Sequence, residues 1–411
     1  MKRVIYLFFA FSMFFISCND SKIVDPPAEP NEVIIGVLVS LTGNWSSLGI
    51  TTKAALEVAV EEINEKYKTN DVNLKFVLKV IDTKLDPALA YSATIQLISD
   101  GVEIIIGPQS SAELSIIKPL LDANNIFAVS MSSTASSLAL ADDHILRICP
   151  DDKPEGVAIA ALIWEKGIRN VIAVYRDDDG NIGLKRSMTK SFVNLGGTVI
   201  DSIKYSNDDI ITQNLIDEIV TSINTSSNPS ETAIYLAGFD EITDIFALAK
   251  SNTQLSTTLW FGSNGSAMST AIVSNVNAAS FANSVEFVSP LFAFSAENES
   301  EWSSLFNTIE QSTQQKPDAY TFAAYDALKI ASIAYESIGT NYEFTNLLSE
   351  YVTISTTYNG LTGITEFNPA GDRKYGNFSL FGICGINPNF TWNSVGSYNT
   401  STNELIYTGC N

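Results

Sequence analysis

The sequence predicts an α/β protein of two lobes, each a parallel sheet covered by helices. Three observations carry this. Short, nearly continuous apolar runs of strand length recur along the chain, as strands buried on both faces require. They alternate with stretches whose apolar residues repeat at helical spacing. The alternation comes in two runs, separated at "CPDDKPEG" (149–156).

In order, "VIIGVLVSL" (33–41) reads as the first strand. In the following "TTKAALEVAVEEINEKY", Leu56, Ala59, Val60 and Ile63 form one helical face, with Glu57, Glu61, Glu62 and Glu65 mostly opposite. "LKFVLKVID" is the next strand. Asp86-Pro87 then opens a helix, with aspartate as cap and proline at its first position. "VEIII" is the third strand. Ser110 and Glu113 have the spacing of a capping box, and "IFAVS" is the fourth strand. In the second run "VIAVY", "GTVIDSIKY", "TAIYLAG", "TTLWFG" and "SVEFVSPLF" read as strands, and "DAYTFAAYDALKIASIAYESI" as a strong helix. The last stretch, from about residue 356, is rich in Gly, Asn and aromatics and suggests short antiparallel strands. Repeated βα units imply parallel sheets.

The 411 residues are 45% hydrophobic and 17% charged, enough for two or three domains with large cores. The net charge of −22 and the lack of a basic run argue against nucleic acid as a partner.

"MKRVIYLFFAFSMFFISCND" begins with Lys2 and Arg3, followed by an apolar core from Val4 to Ile16. That core is shorter than the ~20 residues of a membrane span and fits a secretory signal. Ser17-Cys18 closes it. Either this is an ordinary signal peptide, or it is a lipobox, which the stretch resembles despite Phe15 in place of the usual leucine. Residues 1–17 are then a signal peptide and Cys18 carries lipid. Residues 18–31 form a tether stiffened by Pro26, Pro27 and Pro30. With Cys18 lipidated, Cys149, Cys384 and Cys410 remain. The last two share the C-terminal stretch and are the first choice for a disulfide. Cys149 reads as a buried small hydrophobe.

The strand ends hold the candidate site. "EIIIGPQSSAE" (103–113) places Ser110 and Ser111 where a strand ends and a helix begins, beside unpaired backbone N–H groups that favour an anion. The next strand ends in "VSMSSTASS", with Ser132, Ser133 and Thr134. These hydroxyls either cap helices or form a cradle for a carboxylate or amide. No catalytic pattern accompanies them. The one histidine, His144, lies in "ADDHILR", no Gly-x-Ser-x-Gly elbow occurs, and "YRDDDGN" lacks the remaining ligands of a calcium loop. No cofactor or metal is expected, and the protein is not expected to be an enzyme.

Taken in order, "IGVLVSLTGNWSSLG", "AALEVAVEEIN", "VEIIIGPQSS", "VSMSSTAS", "ILRICPDD", "VIAVYRDDDGNIGL", "AIYLAGFDE", "LWFGSNG", "YDAL" and "LTGITEFNPAGDR" resemble the branched-chain amino acid binding proteins, the type I periplasmic binding protein family. The resemblance spans residues 32 to about 385. It implies two Rossmann-like lobes joined by three crossovers and closing on a ligand. Lobe 1 would hold 32–149 and 286–353, and lobe 2 would hold 150–285 and 354–411. Matched by position, Ser111, Ser132 and Thr134 would grip the ligand's carboxylate. Trp45 would cover the ligand, and Phe239 would face it from the opposite lobe. Two positions depart from the family pattern: Asn264 stands where an acidic residue often meets an ammonium, and Gly180 where an aromatic is expected. Either Asp240 compensates or the ligand lacks an amine.

The function implied is a lipid-anchored, extracytoplasmic solute-binding protein. It would be a monomer that delivers a small molecule to an ABC permease. The alternative is a binding protein of the same fold that signals to a membrane receptor.

Overall fold

A computed structural model describes residues 30–206, 211–339 and 342–410. The expected signal peptide, Cys18 and all but the end of the expected tether lie outside the described residues.

The first lobe is built on β1 (Asn31–Val39), α1 (Ser46–Thr69), β2 (Leu74–Asp82), α2 (Pro87–Ser99), β3 (Ile104–Ile106), α3 (Ser111–Ala123), β4 (Phe127–Ser130) and β5 (Ile145–Arg147). The strands pair in the order β2-β1-β3-β4-β5, all parallel. The two sheet faces bury different sets of side chains. Val37, Ile106 and Val129 point into one core with Leu56 and Ile63 of α1, while Leu38, Ile105 and Ala128 point into another with Leu97 and Leu114. Burial on both faces is why these strands read as unbroken apolar runs. The helix starts follow local chemistry. Asp86 Oδ1 accepts from Ala88 N at 2.7 Å, with Pro87 at the first position. Ser110 and Glu113 form a reciprocal capping box.

The second lobe continues with α4 (Asp152–Glu165), β6 (Asn170–Arg176), α5 (Asp179–Asn194), β7 (Thr198–Tyr205), α6 (Gln213–Thr225), β8 (Thr232–Ala237), α7 (Ile242–Ala249), β9 (Leu259–Gly262), α8 (Thr270–Ser274), α9 (Val276–Ser284) and β10 (Val288–Phe292). The chain returns to pack α10 (Glu299–Thr313), α11 (Ala319–Ile338) and α12 (Phe344–Ser355) on the first lobe. It then forms the small β11 (Asn359–Gly360) and β12 (Gly363–Ile364) ladder. It ends in the second lobe with β13 (Phe378–Ile386), β14 (Asn389–Asn399) and β15 (Glu404–Tyr407). The second sheet has the order β15-β14-β13-β10-β9-β8-β6-β7, parallel from β7 to β10 and antiparallel beyond.

Two expectations need correction. The boundary at residues 285/286 is too early, because β10 pairs with β9 and β13 in the second sheet and the chain crosses back only after Phe292. The C-terminal strands are also longer than expected. β13 has nine residues and β14 eleven, because they extend a large sheet. Cys384 and Cys410 are joined by a disulfide, with Cα atoms 5.5 Å apart, and Cys149 is a free, buried thiol.

The chain crosses between the lobes after β5, after β10 and before β13. The first and third crossovers lie side by side. Arg147 N donates to Gly371 O, and Arg373 N donates to Arg147 O. The buried Arg147 guanidinium meets Asp372 at 2.6 Å. Arg373 donates to Ile148 O at 3.2 Å and to Thr362 O at 2.6 Å.

Candidate binding cleft between the lobes

Every loop that the sequence marked for the site leaves the C-terminal end of a strand, where open α/β sheets bind ligands. In the first lobe, Gln109 knits these loops together. Its Oε1 accepts from Ser40 N at 2.5 Å and its Nε2 donates to Trp45 O at 3.2 Å. Trp45 stands in left-handed backbone, φ 56°, which is sparsely populated for a bulky residue. This conformation presents its backbone N–H to the other lobe, where Asp240 Oδ2 accepts it at 2.7 Å. The indole lies 5.0 Å from the Phe239 ring and 6.3 Å, edge to face, from Tyr320.

The hydroxyls divide their work. Ser110 is occupied by the helix cap and by Glu113. Ser132 Oγ donates to Gln109 O at 2.9 Å, holding the two loops together. Ser111 and Ser133 pair through their Oγ atoms at 2.9 Å, and Ser111 Oγ also accepts from Ala135 N. Thr134 meets the second lobe through its backbone, Thr134 O accepting from Asp152 N at 2.9 Å. Ser111 and Thr134 therefore face the second lobe, while Ser110 and Ser132 serve local structure.

The second lobe approaches this cradle closely. Gly180, on the first turn of α5, sits over Ser111, where a Cβ would lie 3.6 Å from Ser111 Oγ. At Gly183 a Cβ would fall 2.1 Å from Asp152 Oδ2, so a side chain there would displace the Asp152 carboxyl. Asp240 is not free to meet a ligand in this state. Besides Trp45 N, it accepts a hydrogen bond from Ser269 Oγ. Asn264 donates from its backbone N to Glu155 Oε1 at 3.0 Å and from Nδ2 to Glu155 Oε2 at 2.7 Å. The same Nδ2 reaches Tyr320 Oη of the first lobe at 3.1 Å.

Four residues of this cluster were not singled out from sequence: Gln109, Asp152, Glu155 and Tyr320. Asp152 and Glu155 lie on one face of the first turn of α4 and are both fully enclosed. Burial pushes the Asp152 carboxyl up to about 7 and the Glu155 carboxyl well above the usual range. On the flank, the buried Arg176 guanidinium sits 2.8 Å from Asp178, 3.6 Å from Glu241 and 5.0 Å from the Phe239 ring. It lines a space of about 830 Å³ between the lobes, along with Lys84 and Asp86.

This arrangement can grip and enclose a small molecule. The serines here pair with hydroxyls, carboxylates and backbone groups, and His144 lies elsewhere, with Nδ1 2.8 Å from Leu121 O. Among the described residues no group of His, Cys, Asp and Glu has the makings of a metal site. Residues 51–385 match the family described as the receptor family ligand binding region. The chain belongs to this family. Its members are ligand-binding proteins rather than enzymes. An uncharacterized protein of Methanocaldococcus jannaschii is 26% identical, over 92% of each chain. The Leu/Ile/Val-binding protein BraC3 of Rhizobium johnstonii is 25% identical over 42% of this chain and 46% of its own. The leucine-binding protein LivK of Thermotoga maritima superposes with a TM-score of 0.71 at 20% identity, covering 90% of this chain and 99% of LivK. The fold is thus that of the type I periplasmic binding proteins. No helix among the described residues is long and apolar enough to cross a membrane.

Proposed function

We propose that this family member is an extracytoplasmic, lipid-anchored solute-binding protein. It captures an amino acid, an amide or an organic acid between its lobes and delivers it to an ABC-type permease. One observation carries the reading: strand-end loops of both lobes bring Trp45, Phe239 and Asn264 together around Tyr320 at the start of α11, latched across the cleft by Trp45–Asp240 and Asn264–Tyr320. BraC3 and LivK, named for branched-chain amino acid binding, support the ligand size. Ser111, Ser133, Thr134 and neighbouring backbone N–H groups hold the ligand's polar end. Trp45, Phe239 and Tyr320 cover its apolar part. The deciding experiment is mass spectrometry of small molecules released by unfolding the purified protein, followed by rebinding of the molecule found. Release of no stoichiometric small molecule, with no binding across amino acids, amides and organic acids, overturns the reading.

A further inference from the structure

A second cavity, of about 490 Å³, lies between the lobes and is not lined by Trp45, Ser111, Phe239 or Asn264. Phe294 and Phe306 wall it from the first lobe, and Phe381 and Trp392 from the second. Its size is that of a small-molecule site, and its walls offer polar and apolar surface in about equal measure. Only two charged side chains line it, Lys316 and Asp318. Asp318 is 7% exposed. It accepts hydrogen bonds from Thr321 N at 2.9 Å and Thr321 Oγ1 at 3.3 Å, and both fall on Oδ1, leaving Oδ2 outside them. Among the described residues no cation pairs with this buried carboxylate, which caps the N-terminus of α11, and an incoming ammonium would supply it with a charge partner. Burial accordingly holds its carboxyl up at about 6. Lys316 is exposed and stands at the rim.

We propose that this cavity is a second ligand site, for a zwitterion with an aromatic body. Its ammonium pairs with Asp318, its ring lies among the four aromatic walls, and its carboxylate turns outward to Lys316. Because the walls come from both lobes, the site is complete only when they are closed. A ligand there favours closure, and it raises the affinity of the main cleft by the same factor that the cleft ligand raises its own.

The test is calorimetric titration of the full chain with L-phenylalanine, L-tyrosine and L-tryptophan, and with 3-phenylpropanoate as the amine-free counterpart. Asp318→Asn keeps an accepting oxygen to cap α11. Ser394→Trp fills the cavity from an exposed wall position. The expected result is saturable binding of at least one aromatic amino acid, weakened about 10-fold or more by either variant. Ser111→Ala should leave this binding unchanged, and 3-phenylpropanoate should bind at least about 10-fold more weakly. The proposal is overturned if none of the three amino acids binds. It is equally overturned if Ser111→Ala abolishes their binding while Asp318→Asn and Ser394→Trp do not. That second outcome would leave the main cleft's assignment intact.

Discussion

Lowering the pH from 8 to 5 should stabilise this protein, and Asp152→Asn should remove much of that effect. Asp152 is fully buried, and its Oδ1 has no hydrogen-bond partner. Its Oδ2 accepts from Ser136 N at 3.0 Å. The nearby Arg147 is already committed to Asp372, and the neighbouring Asp151 adds negative charge. Burial, the largest influence, raises the carboxyl from 3.8 to about 7. The folded chain therefore keeps a proton that the unfolded chain releases. Stability from this group is fully present below the unfolded value and declines as pH rises toward 7. Raising the carboxyl from 3.8 to about 7 corresponds to about 4 kcal/mol, at about 1.4 kcal/mol per tenfold change in proton affinity. That is a large share of a typical domain's stability. Glu155 acts in the same direction, whereas Asp82 and Asp122, held below the usual range, act with the opposite sign at more acidic pH. The assay is urea unfolding at pH 5, 6, 7 and 8. Asp152→Asn should flatten the slope between pH 5 and 7 by up to about 1.4 kcal/mol per pH unit. An unchanged slope in the variant would refute the reasoning.

Further outcomes are expected at other positions. Asp240→Ala removes the hydrogen bond from Trp45 N that latches the closed form, worth about 1.5–3 kcal/mol. Small-angle scattering of the unliganded variant should show a larger radius of gyration, and an unchanged profile would count against the latch. Ser111→Ala and Thr134→Ala should each weaken the released ligand's rebinding by roughly 10- to 100-fold, and Ser111→Ala should also cost about 1–3 kcal/mol of stability because Ala135 N loses its acceptor. Unchanged affinity would reduce both hydroxyls to structural roles. Cys384→Ser with Cys410→Ser opens a loop with a sequence separation of 26 and should cost about 3 kcal/mol on the chain-entropy model, read from urea unfolding. Cys18→Ala should move the protein from the membrane to the soluble fraction, and retention of a lipid label would exclude Cys18 as the anchor.

The sequence shows the sheet strands well because burial on both faces leaves an unmistakable apolar run, as in "VIIGVLV" and "TAIYLA". It says less about sheet membership. "VSPLF" would look the same in either lobe, and only its pairing with β9 and β13 places β10 in the second sheet. β5, with three residues, is too short to carry a period. The hydroxyl clusters stand out as patterns, but their division of labour does not. Ser110 and Ser111 are neighbours in sequence, yet one caps a helix and the other faces the opposite lobe, a difference set by distant residues. Asp152 and Glu155 pass for ordinary acids at a helix start, and Tyr320 is hidden in the apolar stripe of α11.

The paired first and third crossovers have a kinematic consequence. Laced together by Arg147, Asp372 and Arg373, they form one stiff ribbon rather than two independent strings. A body hung on such a ribbon and a single additional strand loses most of its freedom to twist or slide, leaving chiefly a swing about one axis. Distances between points on the two rims of the cleft, away from that axis, then rise and fall in concert. A single pair of fluorophores placed on the two rims would read the complete travel of the molecule.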